Sequence, residues 1–179
     1  EWIHRFLGRL IGISFLVPLI YFTYRTSFKI LLKLYLIFFL ICFQGFIGWY
    51  MVSSGLVDRV DVSHYRLALH LMIAFVILSL ILWNLLELKN QSPNKNKINY
   101  NLSFFFLIIV YGQISIGAFV SGMDAGTVYN TWPMMGSSFF PDDNNFFNLL
   151  SISAFNDPSL VQFMHRNLAY LIILIYIFI

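Results

Sequence analysis

Residues 31–52 read LLKLYLIFFLICFQGFIGWYMV, an apolar run with one charged side chain, Lys33. About 20 apolar residues in a helix are enough to cross the ~30 Å hydrocarbon core of a membrane. Four further apolar runs occupy residues 3–24, 66–87, 101–122 and 160–179. The runs are continuous and lack the polar–apolar alternation of a barrel strand. The sequence therefore predicts an all-α integral membrane protein with about five transmembrane helices.

The composition agrees with this fold class. Hydrophobic residues make up 59% of the chain and charged residues only 11%, which excludes an ordinary soluble domain. The net charge of +3 is too small to indicate nucleic-acid binding. The single cysteine, Cys42, cannot form an intrachain disulfide and is expected to be a small buried side chain. Because the chain lacks an initiator Met and its ends fall in or beside apolar runs, we interpret it as a fragment of a larger membrane protein.

Basic residues concentrate in alternate connections between the apolar runs. The connections 24–33 and 87–100 each carry several Lys or Arg, whereas 123–159 contains Asp and no Lys or Arg. The positive-inside rule then places the first two connections in the cytoplasm or its equivalent. His4, His70 and His165 consequently all lie toward the outer face.

These three histidines share one setting, at or just inside the start of an apolar run with an arginine nearby. Imidazole in hydrocarbon needs a partner, and haem iron is the obvious candidate. Glu1 lies one helical turn from His4, where it could orient the imidazole, transfer a proton or act only as a helix-terminal acid. His64 is expected in the loop before the third helix, about 120° from His70, and is not predicted to be a ligand.

Arginines beside the histidines are suited to haem propionates, with lipid phosphate as the alternative target. The candidates are Arg5, Arg9, Arg66 and Arg166. The pattern His-Arg-x-Leu-x-x-Leu occurs at 4–10 and again at 165–171, and Gln-x-x-x-Gly occurs at 44–48 and again at 113–117. Such repeats suggest two similar helical bundles related by duplication.

The long outer connection 123–159 has two distinct parts. The stretch 121–135, which begins two residues before this connection, is rich in turn residues and aromatics, so we expect it to be ordered but not helical. Further on, 146–150 together with Phe155 is expected to lie on the membrane surface.

Four motifs across the chain together resemble the haem A synthase family, its alphaproteobacterial and mitochondrial branch most. They are Glu1-x-x-His4-Arg5-x-x-Gly8-Arg9, Tyr65-Arg66-Leu67-Ala68-Leu69-His70, Gly122-x-Asp124-Ala125-Gly126-x-x-Tyr129-Asn130-Thr131-x-Pro133-x-Met135 and Gln162-Phe163-x-His165-Arg166. The resemblance implies eight helices in tandem four-helix bundles, of which this chain holds the second to part of the sixth. Residues 1–88 would then belong to the first bundle, 89–100 to an inner loop and 101–179 to the second bundle.

The resemblance also implies roles for individual residues. His4 and His70 would ligate haem O, the substrate, and Glu1 would act in catalysis. His165 would be one of two ligands of a haem B cofactor, with the second ligand on the eighth helix. The implied reaction oxidises a haem O methyl to the formyl group of haem A, in two hydroxylations with water-derived oxygen followed by loss of water.

The resemblance leaves several points open. Haem O would come from haem O synthase, the electron acceptor is unknown, and a homo-oligomer is allowed. The protein would lie in the bacterial inner membrane, or in the mitochondrial inner membrane of a eukaryote, with its histidines toward the periplasmic or intermembrane side. A di-haem electron-transfer cytochrome and a haem-binding assembly or transport protein remain as alternatives, since both need the same histidines.

Overall fold

The structure is a computed structural model that describes residues 2–55, 62–89 and 100–178. Every long regular element in these ranges is an α-helix: α1 (Trp2–Thr23), α2 (Phe28–Gly55), α3 (His64–Leu88), α4 (Tyr100–Gly122) and α5 (Pro158–Phe178). All five are long and apolar enough to cross a membrane. The predicted all-α, multi-pass membrane fold is thereby confirmed, and the eight-helix tandem bundle stays a prediction.

The start of α3 differs from its predicted position. The helix begins at His64, two residues before the apolar run. The carbonyl of Ser63 accepts the first helical hydrogen bonds, from the backbone N–H groups of Arg66 and Leu67, both at 3.0 Å. Serine is a preferred N-cap residue. The placement of His64 in the loop is therefore wrong, because hydropathy does not register a polar first turn.

The chain divides into two compact units, and the first contains α1, α2 and α3 from Ile73 onward. In this unit Phe15 of α1 stacks on Phe38 of α2, with ring centroids 6.3 Å apart. Lys33 of α2 pairs with Glu87 of α3 at 2.6 Å. The predicted division into residues 1–88 and 101–179 stays a prediction.

The expected burial of Cys42 is wrong, because this side chain is exposed on α2. An apolar residue of a membrane helix need not be buried in protein, since lipid is as apolar as a protein core. Some sequence-based predictions fall outside the described residues. These are Glu1 and most of the connections 53–65 and 87–100, in which residues 56–61 and 90–99 are not described.

The second unit contains α3 up to Met72, α4, α5 and the loop between the last two helices, called the outer loop here after its predicted side of the membrane. The loop holds three short 3₁₀ helices, Ala125–Thr127, Phe146–Leu150 and Ile152–Asn156. The prediction that 121–135 is not helical is wrong at Ser121 and Gly122, which end α4. Apart from the single turn Ala125–Thr127, residues 123–135 are not helical, as predicted. Phe146, Phe147 and Leu150 are exposed. Their contact with the membrane surface stays a prediction.

The start of α5 is fixed by its own sequence. Asp157 caps the helix, with its Oδ1 accepting from the backbone N–H of Leu160 at 3.0 Å. Pro158 follows at the first helical position, where its missing N–H costs nothing. The loop folds back over this end, so Ser159, Leu160, Val161 and Gln162 are buried. The first turns of α5 are thus packed in protein.

Candidate functional site

The best-defined candidate ligand is His165, which lies two turns inside α5 and faces α4. A Cβ atom added at Gly117 would lie only 3.1 Å from His165 Cε1, so the imidazole rests directly against the backbone of α4. The side-chain nitrogen of Gln113 lies 3.3 Å from His165 Nε2. His165 Nδ1 is buried and has no hydrogen-bond partner in the described part of the chain.

This environment fits a histidine that ligates haem iron. A buried ring nitrogen without a partner is costly, and a metal ion that takes its lone pair removes that cost. Within residues 2–55, 62–89 and 100–178, no three His, Cys, Asp or Glu side chains come together as a metal site. Haem needs no such cluster, because the porphyrin supplies four ligands and the protein one or two.

The outer loop is attached to α5 through Gln162 and Arg166, on either side of His165 in sequence. The Gln162 side chain accepts from the backbone N–H of Tyr129 at 3.2 Å and donates to its carbonyl at 2.9 Å and to that of Gly126 at 3.3 Å. The loop backbone is therefore held by a buried side chain that has almost no freedom of its own.

Arg166 extends this attachment with its guanidinium group. It donates to the carbonyl oxygens of Tyr129 at 2.7 Å, Thr131 at 2.9 Å and Met134 at 3.5 Å. One turn further along α5, Tyr170 accepts from the indole N–H of Trp132 at 2.6 Å. The predicted propionate contact of Arg166 stays a prediction, and the structure adds the loop as a partner that the sequence did not reveal.

A carboxylate on the far side of the loop collects three donors. Asp143 accepts from Ser159 Oγ at 2.6 Å, from the Tyr129 hydroxyl at 2.9 Å and from the Asn144 amide at 3.3 Å. Burial alone would raise the pKa of Asp143, but these hydrogen bonds outweigh it and leave the pKa below its ordinary value. Burial and the neighbouring Asp143 carboxylate raise the pKa of Tyr129.

A second carboxylate, Asp142, closes a tight turn in the same loop. It accepts from the backbone N–H of Ser137 at 2.5 Å and from the Ser137 hydroxyl at 3.0 Å, and these bonds lower its pKa. Gly136 has φ of +91°, a conformation that only glycine adopts readily. A Cβ there would also collide with Asp142 Oδ2. This turn therefore requires glycine.

The other candidate residues lie on α1 and α3. His4, Arg5 and Arg9 are exposed on the first turns of α1. Arg66 and His70 are half-buried on the first turns of α3. Their roles as haem ligands and propionate anchors stay predictions.

His64 has a packing environment of its own. Its ring meets Phe119 of α4 edge-on, with centroids 5.2 Å apart, and a Cβ added at Gly122 would lie 2.9 Å from its Cα. These contacts tie the first turn of α3 to the end of α4. Its Nε2 is buried without a hydrogen-bond partner among the described residues, as His165 Nδ1 is, and the prediction that His64 is not a ligand stays a prediction.

A family model described as cytochrome oxidase assembly protein matches residues 1–179. The chain belongs to the cytochrome oxidase assembly protein family. The resemblance first based on four motifs is confirmed by relatives that carry the name Heme A synthase. No solved structure has a significant match to this chain.

Three of these relatives are bacterial. The one from Pelagibacter ubique is 47% identical over 175 residues, which is 97% of this chain and 52% of the relative. The one from Wolbachia pipientis is 41% identical over 179 residues, 97% of this chain and 51% of the relative. The one from Rickettsia felis is 40% identical over 186 residues, 98% of this chain and 54% of the relative. This chain thus spans about half the length of the relatives it matches.

Sequence reasoning missed the side chains that surround His165. Gln113 was visible as part of a repeat, but its partner on α5 was not. Gln162 stood in a motif without a role. A signal existed for both, because a glutamine in an apolar helix is costly unless it is hydrogen bonded. Naming the partner required the packing of two helices and a loop more than 30 residues away.

Proposed function

We propose that the chain forms about half of a haem A synthase, an oxidoreductase that converts a methyl group of haem O into the formyl group of haem A. The relatives in the same family carry this name. The single observation that carries the proposal is His165 Nδ1, a buried ring nitrogen that the described chain leaves without a partner. Haem iron would provide that partner.

Each candidate residue has one role in this proposal. His165 ligates haem B, with a second ligand outside the chain. His4 and His70 ligate haem O, while residues 1–88 form most of the substrate bundle and 101–179 part of the cofactor bundle. The propionates of the two haems pair with arginines near the outer ends of the helices, namely Arg5, Arg9, Arg66 and Arg166.

The reaction is an oxidation of the ring methyl by water-derived oxygen. One methyl group and one water give one formyl group, four protons and four electrons. Bound haem B supplies one-electron transfer toward an acceptor outside the chain. Glu1 lies one turn before His4 in sequence, and its carboxylate would accept the protons released from the methyl group and water one at a time and pass each on to solvent. His4 and His70 hold the macrocycle so that one methyl group meets this acid.

The proposed location is the bacterial inner membrane, with the histidines toward the periplasm. The bacterial sources of the relatives and the basic connections 24–33 and 87–100 support it. Haem O would be delivered by haem O synthase. The product would serve terminal oxidase assembly, in keeping with the name of the family.

The decisive experiment uses the full-length protein, expressed with a source of haem O, followed by haem extraction and chromatography. The wild type should yield haem A. Glu1→Gln should still bind haem but accumulate haem O or the hydroxylated intermediate, because a catalytic acid or base supplies about 10²–10⁴-fold in rate. Glu87→Gln is the matched control, since Glu87 pairs with Lys33 and should leave the haem A yield unchanged.

Three outcomes would contradict the proposal or one of its parts. Unchanged haem from the wild type would indicate the di-haem cytochrome or the haem-binding transport protein. A normal haem A yield from a well-folded Glu1→Gln variant would leave Glu1 as a helix-terminal acid. Substituting His4 or His70 with Met should alter the low-spin spectrum of the substrate haem, and unchanged spectra in both variants would reject their pairing.

A further inference from the structure

The face of α4 opposite His165 is built from two residues one turn apart. Gln113 and Gly117 are spaced i, i+4, so they lie on the same side of the helix. Both lie against the same ring: the side-chain nitrogen of Gln113 is 3.3 Å from Nε2, and a Cβ added at Gly117 would lie 3.1 Å from Cε1. The nearby Gly112 differs, since a Cβ there would meet only Leu168 Cδ2 at an ordinary 3.6 Å. Of these two glycines, only Gly117 is approached closely by a side chain of α5, and that side chain is the imidazole of His165.

The polar groups at this contact are incompletely paired. Gln113 Oε1 and His165 Nδ1 are both buried without a partner in the described residues. A carboxamide can donate from its nitrogen to a bare ring nitrogen, or accept with its oxygen from a ring N–H after a half-turn. Gln113 can thus engage Nε2 in either protonation form, and Nδ1 is left for another partner.

We propose that Gln113 and Gly117 are positioning residues for His165, an inference that rests on the proposed function. Because Gly117 has no Cβ, the imidazole can lie directly against the backbone of α4, and this close contact sets the rotation of the ring. With its carboxamide turned so that Oε1 faces the ring, Gln113 accepts from Nε2–H, which keeps the proton on Nε2 and leaves the Nδ1 lone pair for iron. Hydrogen bonds of this kind orient a ligating histidine and raise its basicity. Together the two residues present His165 to haem B in one orientation.

The first test compares Gly117→Ala with Gly112→Ala in the full-length protein loaded with haem B. An added methyl at residue 117 pushes on the imidazole, so the g-values of the low-spin ferric haem should shift and haem affinity should fall. The same methyl at residue 112 meets ordinary contact and should change neither. Equal spectra and equal haem content in both variants would overturn the role of Gly117.

The second test replaces Gln113 by Leu and by Glu, with Ser115→Ala as control. Among the described residues, Ser115 donates to the carbonyl of Tyr111 in its own helix and makes no hydrogen bond to α5. Leu at residue 113 removes the hydrogen bond, so haem affinity should fall by about 10–100-fold and the midpoint potential should rise. Glu is a stronger acceptor and should lower the potential. If Gln113 only stabilised the fold, Gln113→Leu and Gln113→Glu would not shift the midpoint potential in opposite directions.

Opposite results would overturn the proposal for Gln113. Unchanged affinity and potential in Gln113→Leu would show that the amide does not act on the ring. Tighter haem binding in that variant would show that Gln113 competes with iron for Nε2. Gln113→Leu adds no atom beside Gly117. It therefore tests the role of Gln113 even if the Gly117→Ala protein does not accumulate.

His165→Ala separates this inference from the proposed function. Loss of haem B in His165→Ala together with normal spectra in Gly117→Ala and Gln113→Leu would reject the positioning role alone. Full retention of haem B by His165→Ala would reject His165 as the ligand, and with it both proposals.

Discussion

Replacing Arg166 with Met should loosen the outer loop from α5 while α5 itself stays folded. Methionine keeps much of the aliphatic length of arginine but has no N–H donors. Three carbonyl oxygens of the loop, at Tyr129, Thr131 and Met134, then lose their guanidinium partner. The loop keeps its bonds to Gln162, so the expected effect is local opening and not unfolding of the protein.

The magnitude follows from the exposure of the three bonds. A hydrogen bond to a charged group contributes about 1.5–3 kcal/mol, and the two bonds from Nη1 are exposed and worth less. Counting the part-buried 2.7 Å bond to Tyr129 in full gives about 2 kcal/mol for the whole contact. Since about 1.4 kcal/mol corresponds to a factor of ten, local opening should become roughly 30-fold more frequent.

Hydrogen–deuterium exchange at the Tyr129 amide measures this opening directly. That N–H donates to Gln162 Oε1 at 3.2 Å and exchanges only when the loop lifts from α5. Asn167→Ala is the matched control, because among the described residues Asn167 donates to the carbonyl of Phe163 in its own helix and not to the loop. Unchanged exchange in Arg166→Met would refute this reasoning. Weakened haem binding with unchanged exchange would support the propionate role in its place.

Three further predictions concern other contacts. The pKa of Asp143 is lowered in the folded protein, so the ionised carboxylate stabilises the loop above the ordinary carboxyl pKa. This stabilisation is lost as the pH falls through the lower pKa of the folded state, and the loop should then be cleaved faster by a protease. Asp143→Asn should remove much of this dependence of proteolysis on acid. The exposed Lys33–Glu87 pair should contribute only about 0–1 kcal/mol in a double-mutant cycle of thermal unfolding, and a larger coupling would show that the pair is shielded from water. His64→Gln should retain haem A formation, and a loss as large as that of His70→Ala would make His64 part of the site.

The membrane helices were predictable because hydropathy is a local property. The apolar runs located all five helices, with errors of a few residues at ends such as His64, where a polar turn precedes the run. The candidate histidines were predictable for the same reason, since a polar residue stands out in an apolar helix. The exposure of Cys42 was not, because an apolar run does not say which helix face meets lipid.

The contacts of the loop could not be predicted from local patterns. Arg166 was expected near a propionate because a sequence shows a charge and not its partners. The three carbonyls that it meets lie more than 30 residues earlier in the chain, and carbonyls carry no sequence signature. Gln162 and Gln113 were visible as polar residues, but the partner of each depends on how two segments pack.

The burial of the first turns of α5 under the outer loop bears on how the protein enters the membrane. α5 has a mean hydropathy of 1.5, below the 2.4 of α3, and its outer half carries Gln162, His165 and Arg166. An insertion machinery that meets this segment before the loop has folded encounters these polar groups unshielded. Once the loop has closed, its backbone satisfies Gln162 and Arg166, so the segment is no longer as polar as its sequence. Stable integration of α5 should thus be coupled to folding of the loop on the outer side, and loop variants should lower the amount of integrated protein before they alter any chemistry.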